Sequence, residues 1–148
     1  MNDGDVTDAL VAGAVAAIVS GAPSTLHAIV TRSSPIEGAL AAGTLLLPRV
    51  RQPMALLLAA VPVHAALSLG WALVLSIILP RRRTTAVAAL AGLAIAALDL
   101  GLVGRRFPRI RALALLPQVL DHVAYAATVG AVLEVLRQRT NFEAVAQP

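Results

Sequence analysis

Five side chains able to carry or accept a proton lie deep in otherwise apolar sequence: His27, His64, Asp99, Asp121 and His122. An ionisable group in hydrocarbon costs several kcal/mol unless it is paired or wet. A set of five therefore implies either a polar cavity that handles a proton, ion or small solute, or a structural network in which histidines and aspartates satisfy one another. Imidazole and carboxylate are also metal ligands, but no HxxxH or HExxH spacing occurs, so a metal is left open. Depth follows from helical rise. His27 lies five residues from Arg32 and Asp99 five from Gly104, each about 8 Å in. His64, eleven residues from Pro53, and Asp121, ten from Arg111, lie about 15–16 Å in. This makes His64 and Asp121 the expected central pair, with His27 and Asp99 nearer the mouth. Ser68 shares a helical stripe with His64, and Tyr125 one with Asp121. His122 points about 100° away from Asp121 and is the outlying member.

The elements that must position these groups are long apolar runs. Ala9–Val30, Met54–Leu79, Thr84–Gly104 and Ala112–Leu133 contain no Arg, Lys or Glu, and a spanning helix needs roughly 20 mainly apolar residues. We expect an all-α, four-helix transmembrane bundle in a single domain, with spans at about 7–31, 53–79, 84–104 and 111–136 and a polar tail over 137–148. The acidic start, with Asp3 and Asp5, and the length of the first run favour a retained span over a signal peptide. Ser20, Gly21 and Pro23 interrupt that span, because proline cannot donate to Val19 and glycine permits a bend. A kink at Gly21/Pro23 is expected. Pro62 and Pro117 free further carbonyls, and such breaks are tolerated in a membrane only where protein or water meets them. The stretch from Ile36 to Leu47, between Pro35 and Pro48, is too short to span and reads as an interfacial or re-entrant helix. Short connections at Arg81–Arg83 and Arg105–Arg111 predict that the second and third spans, and the third and fourth, are antiparallel neighbours. Glu134, about one turn before Arg137, is expected to pair with it.

Composition excludes other classes. Of 148 residues, 58% are hydrophobic and 14% charged, whereas a soluble domain is about 25% charged. Mean hydropathy is +0.81. The net charge is +4, and all twelve basic residues are arginines at the edges of the apolar runs. They anchor a membrane protein rather than form a phosphate-binding face, so no nucleic acid partner is expected. Seven arginines on one set of loops against five on the other lean toward both termini outside. With no Cys, P-loop, GxGxxG or GxSxG, neither a cofactor nor a catalytic role is expected. The expected partner is the lipid bilayer. Small residues at four-residue spacing (Gly13, Ala17, Gly21; Ala88, Gly92, Ala96; and Ala126, Gly130) offer close-packing faces, for the helices of one chain, for a homo-oligomer or for a larger membrane complex.

The segments SGAPSTLHAI (20–29), PVHAALSLGW (62–71) and ALDLGLVGRRFPRIRALALLPQVLDHVAYAATVGAVL (97–133) resemble a group of small, uncharacterised four-span integral membrane proteins of high-GC bacteria. The resemblance implies a multi-pass protein of the bacterial cytoplasmic (inner) membrane. It implies no activity and assigns no functional residue. Two readings therefore stand: a polar cluster that serves transport or binding of a proton, ion or small solute, and a non-catalytic scaffold or accessory subunit whose cluster is structural.

Overall fold

The computed structural model describes residues 3–146, with side chains described over 4–139. Among these residues the secondary structure is entirely helical. The first apolar run forms α1 (Asp3–Val19) and α2 (Ala22–Val30). They are joined by a turn at Ser20 and Gly21. Pro23 sits in the first turn of α2, where its missing N–H leaves no helical bond unmade. At the far end of α2 the N–H of Ser33 returns to Ala28 O, 2.9 Å, around Arg32 at φ 55°. That is the left-handed helix stop glycine usually serves.

The short helix α3 (Glu37–Gly43) follows, then α4 (Pro53–Ile78). The side chain of Gln52 caps α4 by accepting from Ala55 N–H, 2.6 Å, and Pro62 lies inside the helix without ending it. The third run begins as α5 (Thr84–Ala96), widens into a π-helical segment over Ala97–Val103, and ends in a short 3₁₀ turn. A single helical turn, α6 (Pro108–Arg111), precedes α7 (Leu115–Ala146). The fourth run thus starts as a helix at Leu115 rather than near residue 111, which places Pro117 in its first turn. The polar segment from Arg137 continues α7 as far as Ala146; residues 147 and 148 of the expected tail lie outside the described residues.

Four helical stretches are long and apolar enough to cross a membrane: Gly4–Val30, Pro53–Ile78, Thr84–Arg106 and Leu115–Arg139. Large apolar side chains along them, including Ile18, Leu26, Ile77 and Leu90, face outward. A soluble protein rarely exposes so continuous an apolar surface. These features fit a multi-pass membrane protein in contact with lipid.

Packing among the helices follows the small residues. The closest pair is α5 with α7. A Cβ on Gly92 would stand 2.7 Å from both His122 O and Val123 Cα, and one on Gly130 would stand 2.6 Å from Ala88 Cβ. On the other side α1 packs on α4, where a Cβ on Gly13 would meet Ala72 Cβ at 2.8 Å. Ala88, Gly92, Ala96 and Gly13 are buried inside the chain. Gly21 is exposed, and a Cβ there would meet nothing within 4 Å. Helix α1 also packs on α7, and α3 lies on the start of α4 with Gly43 directly against the backbone of Leu56.

The expected neighbours are only half right. The third and fourth runs pack as predicted. The second and third do not: α4 lies chiefly against α1 and α3 despite its short link to α5. The reason is steric. Glycines let α5 close on α7, whereas α4 reaches the shared core with the bulky side chains of Trp71, Leu75 and Leu79.

Candidate functional site

The polar groups collect where α2, α3, α6 and the start of α7 meet, here termed the α3 end. The opposite, Arg83 end is filled by apolar side chains such as Leu75, Val129 and Leu133. It has its own polar contacts. Glu134 does not bridge to Arg137 as expected. It accepts from Thr85 Oγ1 at 2.8 Å and lies 3.4 Å from Thr85 N, so its carboxylate serves the positive N-terminus of α5. Arg137 Nη2 donates to Ser76 O, 3.0 Å. Thr84 Oγ1 donates to Pro80 O, 2.9 Å, tying down the turn before α5.

The helix break in the first run leaves carbonyls of α1 and N–H groups of α2 without helical partners. His64, from α4, is exposed, and its Nε2 donates to Ala17 O at 3.0 Å. Asp121, from α7, accepts from Ser24 N–H through Oδ1 at 2.9 Å. The two residues expected as a central pair therefore do not bond to each other. They bracket the break from opposite sides: an imidazole at the negative end of α1 and a carboxylate at the positive end of α2. Both placements agree in sign with the helix dipoles.

The pair that forms is Asp99 with His122, the residue whose facing made it the outlying member. His122 Nε2 lies 3.4 Å from Asp99 Oδ2. On its other side Nδ1 donates to Gln118 O, 2.7 Å. A carbonyl can only accept, so Nδ1 carries a hydrogen, and a bond between Nε2 and Oδ2 requires one further proton held between them. Trp71 Nε1–H, a donor only, reaches the same Oδ2 at 3.2 Å. Side-chain exposure is 20% for His122 and 22% for Asp99, so the pair is neither sealed nor open. Asp99 occupies the π-helical segment, a geometry frequent at functional sites. The close approach at Gly92 delivers the backbone of His122 to α5. Tyr125, one turn further along α7, donates its hydroxyl to Ser68 O and ties α7 to α4 beneath the pair.

A cleft of about 350 Å³ opens at the same end. Ser24, His27 and Thr31 of the α2 segment form one wall, Ser33 to Glu37 a second, and Arg109 with Gln118 a third. His27 is exposed here and is separate from the Asp99–His122 pair. Thr31 Oγ1 donates to His27 O, 2.8 Å, and shares a hydrogen with Ser33 Oγ, 3.0 Å. Arg109 grips Glu37 as a fork: Nε to Oε2 at 3.2 Å, and Nη2 to Oε1 at 3.2 Å and to Oε2 at 3.1 Å. This bridge joins α3 to α6. Sequence reasoning missed it, although two opposite charges on loops at the same end of the helices were a usable signal. Among the described residues no group of three or more His, Asp or Glu is gathered as metal ligands.

Comparisons of the chain with protein-family models, with curated proteins and with solved structures return no match.

Proposed function

We propose that this chain is a small multi-pass protein of the bacterial cytoplasmic membrane, a four-helix bundle whose α3 end takes up a proton or small polar solute from one face. The Asp99–His122 pair carries the reading. It sets two groups that can each take up and release a proton 3.4 Å apart, within one helical turn of Gln118, which lines the cleft. The route is short: from the cleft past Gln118, whose backbone carbonyl accepts from His122 Nδ1–H and orients the ring, to the His122 ring and the Asp99 carboxylate, with the Trp71 indole closing the far side. Histidine suits such a relay because its two ring nitrogens can exchange donor and acceptor roles. Toward the Arg83 end the packed cluster of Leu75, Val129 and Leu133 is apolar, so the pair is reached from the α3 end.

Reconstitution in liposomes with an internal pH dye tests this. His122→Gln and Asp99→Asn are expected to reduce proton or coupled solute flux at least tenfold in protein that remains folded. Folded His122→Gln with wild-type flux overturns the proposal, as does a wild-type protein that supports no flux.

A second reading has its own observation. His64, Asp121 and Glu134 each satisfy a helix end, as a purely structural network would. On this reading the chain is an accessory or scaffold subunit of a larger membrane complex. It predicts that His122→Gln lowers stability, leaves no transport phenotype, and that wild-type protein extracted in mild detergent brings a stoichiometric larger subunit with it.

A further inference from the structure

The geometry points to the cleft at the α3 end as a binding site for a small zwitterion, a group bearing one anionic and one ammonium charge. The inference rests on the reading above, that this end binds a solute, and names its chemical class. Three observations lead to it. The cleft is assembled from segments far apart in sequence (the α2 stretch, α3, α6 and the start of α7), so its shape is a property of the fold rather than of one loop. Its volume, about 350 Å³, falls within the 300–1,000 Å³ typical of small-molecule sites. At roughly 30 Å³ per water it has room for on the order of ten waters, enough for an amino acid or a phosphoethanolamine group.

The charge pattern decides the class. The wall carries one guanidinium and one carboxylate, locked together and still 33% and 44% exposed. Their sum is zero, so the attraction of a simple anion to Arg109 is partly cancelled by Glu37, and that of a simple cation to Glu37 is partly cancelled by Arg109. A zwitterion lying antiparallel to the bridge is attracted at both ends. The fork uses Nε and Nη2 of Arg109, which keeps Nη1 for a ligand oxygen. The carboxylate of Glu37 has acceptor sites beyond those Arg109 takes. Ser33 and the Gln118 amide line the space between and supply neutral hydrogen bonds. The bridge is thus half of a four-charge arrangement whose other half is the ligand. Two sources share this chemistry: the headgroup of a phosphatidylethanolamine molecule in the bilayer, and a free zwitterion from the aqueous phase.

The test uses the purified full chain with two probes. Glycerophosphoethanolamine, a soluble phosphodiester with one anionic and one ammonium charge, is titrated by calorimetry against protein in phosphatidylcholine nanodiscs. Retention of phosphatidylethanolamine over phosphatidylcholine is read by native mass spectrometry of protein extracted from mixed vesicles. Wild type is expected to bind at least one probe, and Glu37→Gln and Arg109→Gln each to weaken it at least tenfold. Binding of both probes marks a free zwitterion as the ligand, and lipid retention alone marks the headgroup. If either single variant fails to fold, the doubly neutral Glu37→Gln/Arg109→Gln chain leaves no unpaired charge and is expected to lose binding to the same degree. Inorganic phosphate or ethanolamine binding as tightly as the zwitterion overturns the class. No binding by wild type, or binding indifferent to both substitutions, overturns the site. Binding is read by calorimetry and mass spectrometry and flux by the internal pH dye, so failure of the proton-handling proposal and failure of this one are read separately.

Discussion

The two ends of the molecule solve the same problem by different means. At the Arg83 end, helices approach through Gly13, Ala88 and Gly130, and the space is filled by Leu75, Val129 and Leu133. Backbone polarity there is met within helices or by side chains at regular helix ends: Glu134 at the start of α5, Thr84 on Pro80 O and Arg137 on Ser76 O. At the α3 end the first run is broken, the third is widened into a π-helix, and side chains from α4 and α7 must supply what the backbone no longer supplies itself. In lipid an unmet backbone group costs several kcal/mol, so irregular backbone and inward-facing polar residues have to occur together. Polar side chains near a break are therefore only partly a functional signal. The surplus, what remains after each helix end is served, is the Asp99–His122 pair and the Glu37–Arg109 bridge.

The largest effects are expected where backbone meets backbone. Gly92→Val places a branched side chain against the carbonyl of His122 and Cα of Val123, atoms that cannot rotate aside. Overpacking a tight core typically costs about 1–3 kcal/mol, and an immovable neighbour puts this site at the upper end or beyond. We expect loss of most folded protein, measured as monodisperse yield and melting temperature in detergent. Gly21→Ala, with open space around its Cβ, should change the melting temperature by no more than a degree or two. A tolerant Gly92 would show that α5 and α7 are not held this close, and the comparison between the two ends would fail with it.

How much of this was legible in sequence depends on what each property averages over. Four apolar runs are sums over some twenty residues, and hydropathy finds them whatever the local backbone does. The short helix near Glu37 was legible from its length and bounding prolines. The pairings were not. They depend on how each helix is rotated, and a single π-helical segment over Ala97–Val103 shifts Asp99 away from where a regular 3.6-residue repeat puts it. Counting depth placed His64 and Asp121 at one level, but level says nothing of direction. Each went to the nearer helix end instead. The approach of α5 to α7 at Gly92, which brings Asp99 to His122, rests on knowing which helices pack, and the short link from α4 to α5 pointed to the wrong pair.

Intermediate effects are expected at the bracketed break. Asp121→Ala removes the acceptor from Ser24 N–H, and loss of a helix N-terminal acceptor typically costs about 0.5–2 kcal/mol. Asp121→Asn keeps an acceptor oxygen in place and should recover most of that stability. If Asn behaves like Ala, charge against the α2 dipole matters more than the hydrogen bond. If neither variant differs from wild type in thermal melting, the α3 end does not depend on side-chain rescue of its backbone, and Asp121 joins the functional surplus instead.

Trp71→Phe keeps an aromatic ring in the core but removes the N–H that reaches Asp99 Oδ2 together with part of the indole. A hydrogen bond to a charged group contributes about 1.5–3 kcal/mol and a neutral one about 0.5–1.5, so the difference between the stability loss in the wild-type and Asp99→Asn backgrounds reports how much charge Asp99 carries. In flux measurements the same change should alter rate without abolishing it, because the relay through His122 remains while its far side is loosened.

Among the polar contacts, the smallest change in stability should come from the Glu37–Arg109 bridge, which is the sharpest test of the comparison. Partly exposed ion pairs usually contribute about 0–1 kcal/mol, and this one joins two short segments, α3 and α6, rather than two long helices. Arg109→Gln should therefore melt within a few degrees of wild type. A network built for stability would place its best geometry, a bidentate fork, where it holds the most structure together. Here the fork lies on the wall of a polar cleft, at the edge of the apolar helices. A near-silent Arg109→Gln in melting experiments, with altered behaviour toward a solute or headgroup, separates the surplus from the scaffold. A large drop in melting temperature instead would assign the bridge to the scaffold and leave Asp99–His122 as the whole of the surplus.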